Sequence, residues 1–468
     1  MRQSLFSRKL LSLAISSLAL GAAGDAWASG FALVEQSVKQ VGNAISGGAA
    51  SAEDATTIFF NPAGMTRLKG NQAVVGGHFI TPSAKFSGSA TTHPLFGGAT
   101  ISGGKGIDAG STGFVPSLYY THELNKQLFF GLGIGAPFGL STEYDSNWVG
   151  RYHAIKSEVT TININPSLAY QVNDQLSLGA GLDFMRASAE LSNAVDYSAV
   201  CLGSLPAASC AALGLATPGN TGTDGKVVVE GDDWGYGYNL GLLYEFTEQT
   251  RAGLAYRSKV KQELQGTVDF SGPDGITLPA AFTAVLADGD ATASVELPAS
   301  LSMSVTSQVA PKWELMADVT WTQWSSFDEL RIEYDNALQE DSVQPENWDD
   351  TYKFSVQPEN WDDTYKFSLG VNYHYNDQLT LRSGIAYDQT PIPDAESRTP
   401  RIPGNDRKWL AFGLSYTATP AVSLDFGYAH LFVSDTDIDA TDTSFGYNLS
   451  GSFESDVNIV SAQANWQF

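Results

Sequence analysis

Apolar residues recur at every second position through much of this chain, and this alternation restricts the fold more than any other feature of the sequence. Residues 161–184 are the clearest example: Thr, Asn, Ser and Gly alternate with mostly apolar residues on both sides of a turn at Asn173-Asp174. Successive side chains of a β-strand point to opposite faces, so each half predicts a strand with one apolar face. The pattern recurs at 234–246, 295–305, 313–321, 365–375, 379–387, 410–416 and 422–428.

Weaker segments at 74–80, 114–122, 128–140, 252–260 and 460–468 bring the total to about fourteen strands. Alternation also fits a soluble sandwich, but two features favour a membrane barrel. Tight turns alternate with long excursions such as 190–233, 262–292 and 335–362, and Tyr and Trp lie at the ends of the apolar faces. Short periplasmic turns, long extracellular loops and aromatic girdles are typical of outer-membrane barrels. We therefore predict an all-β fold, a transmembrane β-barrel of about 14 antiparallel strands.

The start of the chain indicates export. Basic residues precede an apolar stretch over 10–23, and Ala26-Trp27-Ala28 fits a cleavage site, so residues 1–28 are predicted to be a signal peptide. An uncleaved anchor is the alternative, but the stretch is shorter than the ~20 residues that span a bilayer. The formal net charge of -25 excludes nucleic acid as a partner. These features predict a multi-pass protein of the cell outer membrane.

The end of the chain, SAQANWQF over 461–468, alternates up to its last residue. In a closed barrel the last strand pairs with the first, because lipid cannot satisfy free backbone groups. A terminal Phe468 on the lipid face also resembles the signal that outer-membrane assembly machinery reads. The barrel is thus predicted to cover residues 71–468.

Residues 29–70 do not alternate. They are rich in Gly, Ala and Ser and include the apolar stretch DATTIFFNPAGM, which suits a free periplasmic tail poorly. Fourteen strands enclose a lumen that side chains alone do not fill. We therefore predict that residues 29–70 form an N-terminal hatch inside the barrel.

Seven short motifs are distributed over nearly the whole mature length. They are Ser29-Gly30-Phe31, Asn61-Pro62-Ala63, PFGLSTEY (137–144), YGYNLGLLYE (236–245), WSSFDEL (324–330), LRSGIAYDQTPIP (381–393) and IPGNDRKWL (402–410). Together these motifs resemble the FadL/TodX family of outer-membrane transporters for long-chain fatty acids and other hydrophobic compounds. The resemblance implies a fourteen-stranded barrel with a hatch, an extracellular apolar groove, an internal pocket and a lateral exit.

The segment 128–140 is the predicted lateral opening. Its even-numbered residues, including Phe138 and Leu140, are predicted to face lipid, and its nearly bare inner face carries Gly133, Gly135, Pro137 and Gly139. Glycine and proline weaken or bulge a strand, so the wall should kink here. We hypothesise that Asn61, Pro62 and Ala63 of the hatch pack beside this strand. The alternative is a tapering strand with small residues where the plug touches it.

For the ligand, alternation in 330–334 points Arg331 inward, where the family places a basic head-group contact, and Arg suits a carboxylate. Glu333 could instead neutralise Arg331 as a structural pair. Phe31 is a candidate pocket residue by resemblance. Leu191 stands where the family can carry a second basic residue, which leaves room for uncharged hydrocarbons as substrates.

Other functional signals are few. Cys201 and Cys210 predict a disulfide that closes a loop in an oxidising compartment. Nothing predicts an enzyme, a cofactor or a metal site; an acidic run over 435–442 fits a solvated loop bridged to lipopolysaccharide by divalent ions. The alternatives of another class are a general porin and a surface receptor or adhesin.

The segment 342–367 consists of two identical copies of SVQPENWDDTYKF. Thirteen residues are an odd number, so a shift by one copy would exchange the two faces of the strand. Only the second copy continues into the strand at 368, and it is predicted to form its start. The first copy is either additional extracellular loop or an error of sequence assembly.

Overall fold

The structure is a computed structural model that describes residues 30–327, 329–336, 356–358, 360–442 and 444–468. The predicted signal peptide and the first copy of the duplicated segment lie outside these residues. No helix in the described part of the chain is long and apolar enough to cross a membrane.

In the described residues, fourteen antiparallel strands form one closed sheet, and six of them are interrupted and have two parts, a and b. Each strand pairs with its neighbours in the chain, and β14 pairs with β1. The strands are β1 Gln72–Thr91, β2 Gly113–Asn125, β3a Leu128–Gly135, β3b Gly139–Glu143, β4 Lys156–Gln171, β5 Leu176–Asp196, β6 Asp224–Thr247, β7a Thr250–Arg257, β7b Val260–Ser271, β8a Gly289–Leu297, β8b Ser300–Ala310, β9a Trp313–Thr322, β9b Glu329–Tyr334, β10a Val356–Pro358, β10b Thr364–His374, β11 Leu379–Asp388, β12 Arg407–Thr419, β13a Val422–Val433, β13b Thr436–Thr441 and β14 Asn448–Gln467.

The ends of the chain close the barrel as predicted. β1 and β14 pair over twenty residues, and the backbones of Asn71 and Phe468 exchange two hydrogen bonds of 3.0 Å. The last strand therefore has no free edge, which in lipid would leave peptide groups unsatisfied. The predicted barrel of about fourteen strands is confirmed.

The outer surface is apolar. Leu182 is 55% exposed, whereas its neighbour Asp183 is 1% exposed and faces the lumen. The same alternation exposes Leu178 on this strand, and Phe79 and Leu168 on the outside of β1 and β4. A surface of this kind is stable only against lipid, so the fold defines an integral membrane protein.

Residues 30–70, which we call the hatch, are mostly buried and contain four short helical segments. These segments contact the lumen side of strands around the whole barrel, from β3 to β14 and β1. The hatch therefore lies inside the barrel. Its helical segments are α1 Val38–Gly42, α2 Gly48–Ser51, α3 Thr57–Phe60 and a 3₁₀ turn Pro62–Arg67.

The long connections lie at one end of the barrel, which is the extracellular end in outer-membrane barrels. They pack around a core that includes Trp148, Tyr197 and Tyr447. One of them contains α4 Tyr197–Ser204 and α5 Ala207–Ala212, which are joined by the disulfide Cys201–Cys210, and another contains α6 Ala280–Val285.

Strands extend further into these connections than the sequence indicates. β5 continues to Asp196 and β6 begins at Asp224, so the hairpin reaches well into the excursion predicted over 190–233. In the second copy of the duplicated segment, β10b begins at Thr364 and continues through Ser368, as predicted.

Candidate functional site

The wall of the barrel has a window between β2 and β3. On its periplasmic side (below), Leu118 pairs with Ile134. On its extracellular side (above), Gly110 and Thr142 form an isolated bridge. Between these pairs, residues 111–117 and 135–141 form no ladder with each other. We call this gap the window. It lies at the kink predicted around Gly135, Pro137 and Gly139.

A bulge in β3 exchanges its two faces at the window. Gly135 pairs with Asn163 of β4, but Gly139 pairs with Thr160, so β3 carries one extra residue. A single inserted residue reverses the direction of every side chain after it. Phe138 and Leu140 therefore face the lumen rather than lipid, and the prediction for these two residues is wrong. Gly133 and Gly135 face inward as predicted.

The first residues of the hatch bind the kinked backbone. Ala32 forms an antiparallel bridge with Phe138, Leu33 N donates to Pro137 O at 2.8 Å, and Gly139 N donates to Phe31 O at 3.0 Å. The hatch thus supplies the peptide partners that β2 does not.

The motif Asn61-Pro62-Ala63 lies elsewhere. Asn61 Nδ2 donates to Leu242 O of β6 at 3.0 Å, and a Cβ at Gly179 of β5 would overlap the peptide between Pro62 and Ala63. The hypothesis that these three residues pack beside the kinked strand is therefore wrong. The motif approaches β5 and β6 closely because glycines there leave space, which a single sequence does not reveal.

Two cavities meet at Phe31. The larger has a volume of about 680 Å³ and is lined by lumen residues such as Ile459 and by the outward-facing Phe114 and Ile162, so it passes through the window to the outer surface. The smaller, of about 90 Å³, lies between the upper parts of β3 to β9. Its lining is mostly apolar and includes Val159, Leu191, Leu264, Val295, Phe327 and Ile332.

Phe31 separates these cavities within an aromatic cluster. Its ring centroid lies 5.0 Å from that of Trp324, 5.6 Å from Phe327 and 6.0 Å from both Phe138 and Trp361. Phe31 lines both cavities, together with Leu140 and Ile402. Phe31 therefore lies at the boundary between the pocket and the cavity that reaches the window.

Arg331 does not line the pocket. Leu330 and Ile332 do, so Arg331 on the intervening position faces outward, and the prediction for Arg331 is wrong. Above the bilayer, water replaces lipid outside the barrel, and the apolar face of β9b turns inward. A different cation lines the pocket: Arg401, which follows β11 and whose Nη1 donates to Ser157 Oγ at 2.9 Å.

Buried charges join the lower half of the hatch to the wall. Arg382 of β11, whose side chain is 4% exposed, donates through Nη1 and Nη2 to the two carboxylate oxygens of Glu53 at 2.9 and 2.5 Å. Lys39 and Asp54 form an ion pair at 3.0 Å, and Gln463 of β14 donates to Asp54 at 2.9 Å. These bonds hold the hatch against β11 and β14.

In the extracellular loops, burial lowers the pKa of His153 to about 3, and the nearby Arg401 adds to the shift. The Nε2 atom of His153 is buried and accepts no hydrogen bond from the described residues. The folded loop therefore holds His153 in its neutral form, whereas the unfolded loop lets it take up a proton at a pKa of about 6.5. The stability of the folded loop is consequently greatest above pH 6.5 and decreases as the pH falls towards 3.

Acidification should therefore open the loop around His153. Each pH unit below about 6.5 should raise the population of the open loop up to about tenfold, as measured by hydrogen exchange of residues 150–155. His153→Gln, which does not titrate, should remove most of this dependence. An equal pH dependence in the variant would contradict the assignment.

The fold and the site together define an outer-membrane β-barrel that contains a hatch, an apolar pocket and a window in its wall. The model of the outer membrane protein transport protein family (OMPP1/FadL/TodX) matches residues 19–468. The chain belongs to this family.

Individual relatives agree with that assignment. The chain is 31% identical over 441 residues to the long-chain fatty acid transport protein of Escherichia coli O6:H1, with 92% of each covered. It is 32% identical over 445 residues to outer membrane protein P1 of Haemophilus influenzae, covering 91% of this chain and 90% of that protein. A Pseudomonas aeruginosa FadL homologue of known structure matches with a TM-score of 0.83 at 26% identity, over 94% of this chain and 100% of that one. The Pseudomonas putida toluene transporter TodX shares the fold, with a TM-score of 0.67 at 21% identity over 94% of this chain and 100% of that one.

Proposed function

We propose that this protein carries long-chain fatty acids or other hydrophobic compounds passively across the outer membrane and releases them sideways through the window. The observation that carries the proposal is the pair of cavities that meet at Phe31, one of which opens through the wall. A substrate would enter the apolar pocket from the extracellular side, pass Phe31 and leave between β2 and β3. The pathway contains no catalytic step and no cofactor.

Sideways release is favoured by the chemistry of the cargo. Burial of an acyl chain stabilises it by about 0.8 kcal/mol per methylene. Passing a sixteen-carbon chain through water in the lumen would therefore cost on the order of ten kcal/mol. A window that opens directly to lipid avoids this step, and the hatch below it blocks the aqueous route.

The direct test is uptake of labelled oleate, a long alkane and toluene by a strain that lacks its own transporter, with and without this protein. Uptake of at least one of them only with the protein would support the proposal. A general porin would instead conduct ions in planar bilayers without taking up hydrophobic compounds, and a receptor or adhesin would bind partners with no effect on uptake. Either pattern would refute the proposal.

Arg401 is the residue in the pocket wall that suits a carboxylate head group. We expect Arg401→Gln to lower oleate uptake at low concentration about tenfold, which corresponds to one charge-assisted hydrogen bond, and to leave toluene uptake unchanged. Arg331→Gln is the matched control, because Arg331 faces outward, and it should change neither. A loss of oleate uptake in Arg331→Gln but not in Arg401→Gln would contradict the assignment.

The same proposal includes two partners outside the transport path. Phe468 is 67% exposed at the end of β14, where outer-membrane assembly machinery could read it. The acidic connection that contains Asp435 and Asp437 lies at the extracellular end, where divalent ions could bridge it to lipopolysaccharide.

A further inference from the structure

The side chain of Gln36 in the hatch packs against the backbone of β3 at its kink. This side chain is fully buried, and Nε2 donates to Ala136 O at 2.8 Å and to Leu33 O at 3.1 Å. Tyr119 of β2 donates to its Oε1 at 3.5 Å. A Cβ at Gly135 would overlap this oxygen, so the glycine makes room for it.

The window is an opening in a ladder that otherwise keeps one register. Gly110 pairs with Thr142 above it and Leu118 pairs with Ile134 below it. Between these pairs each strand has seven residues, 111–117 and 135–141. Because the numbers are equal, closing the window requires no change of register at either end. Closure does require that the bulge in β3 be absorbed, because residues that are opposite each other in this register, such as Phe114 and Phe138, now face opposite sides of the wall.

Free backbone groups at the level of lipid are costly, so each edge of the window needs partners. On β3 these partners come from the hatch: Phe31 and Leu33 pair with Gly139 and Pro137, and Gln36 binds the carbonyl of Ala136. On β2, Pro116 has no N–H to offer across the window. The hatch and β2 thus compete for the same peptide groups of β3.

We propose that Gln36 is a positioning residue that holds the window open by occupying the Ala136 carbonyl and fixing Phe31–Leu33 against β3. Without its amide, the kinked segment pairs with β2 and the wall closes by up to one strand spacing, about 4.8 Å. The consequence for transport rests on the proposed function, whereas the change in the wall does not.

The test combines a distance with uptake. Spin labels replace Phe79 of β1 and Phe184 of β5, which face outward on either side of the window; Cys201 and Cys210 are bonded to each other and do not take label. In Gln36→Leu, the mean distance between labels should shorten by about 3–5 Å, in line with one strand spacing. Uptake of every hydrophobic substrate should fall at least tenfold.

Gln40→Leu is the matched control. Gln40 is also a buried glutamine of the hatch, but its Nε2 donates to Ser51 Oγ within the hatch at 2.8 Å. It should leave the distance and uptake unchanged. If Gln36→Leu does not fold, Gly135→Ala can replace it in the test, because it displaces the Gln36 side chain without altering the hatch sequence. Gly135→Ala should show the same shorter distance and the same loss of uptake.

The outcomes separate the inference from the proposed function. An unchanged distance in a folded Gln36→Leu, shown by its gel shift on boiling, would overturn the role of Gln36 whatever the uptake. A shorter distance with normal uptake would support that role and refute the window as the exit. Equal shortening in Gln40→Leu would also overturn the inference, because it would reflect general loosening of the hatch.

Discussion

Replacement of Gly113 by Trp should lower uptake of every hydrophobic substrate at least tenfold while the barrel still folds. Gly113 is the first residue of β2 and lines the large cavity at the window. A Cβ there would meet no atom of the described residues within 4 Å, so a side chain can begin there without overlap, and we expect the indole to fill the opening. The substitution blocks the exit sterically and leaves the pocket and hatch untouched.

Gly289→Trp is the matched control for this result. Gly289 is the first residue of β8a, and a Cβ there also meets no atom within 4 Å in the part of the chain that the structure describes, but the residue lines neither cavity. Uptake should be normal in this variant. Normal uptake in Gly113→Trp, with initial rates measured at matched surface expression, would show that substrate leaves by another route.

Replacement of Arg382 by Met should release the hatch and raise ion conductance. Arg382, which is 4% exposed, binds both oxygens of Glu53, which is 21% exposed, so its loss leaves a largely buried carboxylate without its hydrogen-bonded cation. Removing one partner of a buried ion pair costs about 3–5 kcal/mol. Because this cost falls on the state with the hatch in place, single-channel recordings in planar bilayers should show openings that the wild-type protein lacks.

Arg67→Met provides the comparison. Arg67 of the hatch and Glu245 of β6 also form an ion pair between hatch and wall, at 2.8 Å, but the Arg67 side chain is 37% exposed. Exposed pairs contribute only about 0.2–1 kcal/mol, so conductance should stay near that of the wild type. A silent Arg382→Met, or two variants with the same conductance, would mean that buried charges do not retain the hatch.

The membrane part of the fold could be predicted from the sequence because lipid imposes a strict rule on each strand. Where lipid lies on one side of the wall and the polar lumen on the other, as at Leu182 and Asp183, the alternation predicts where the strand lies. It also predicts which side chains face lipid and thereby restricts the register of pairing. The same rule identified the closing strand. The lumen position of the hatch was predicted from the size of a barrel of fourteen strands, whose side chains alone do not fill it, and from the apolar composition of the segment.

The site was harder to predict because the rule fails where the surroundings change. At Arg331 the outside is water and the apolar face turns inward, which reverses the assignment. At Phe138 one extra residue in β3 exchanges the two faces of the strand. This bulge is visible only in the pairing of β3 with β4, which the local sequence does not specify. Contacts of the hatch with β5 and β6 join residues far apart in the chain, so the position of Asn61 required the structure.

The central claim is that hydrophobic cargo moves from the pocket past Phe31 and out through the window. A fatty acid with a photoreactive group near its methyl end, bound to the protein in vesicles and activated by light, tests it most directly by mass spectrometry of the labelled residues. We expect labels on Phe31, Leu33 and the window segments 111–117 and 135–141. Labels on the lower lumen around Asp54 and Gln463, with none at the window, would contradict the account.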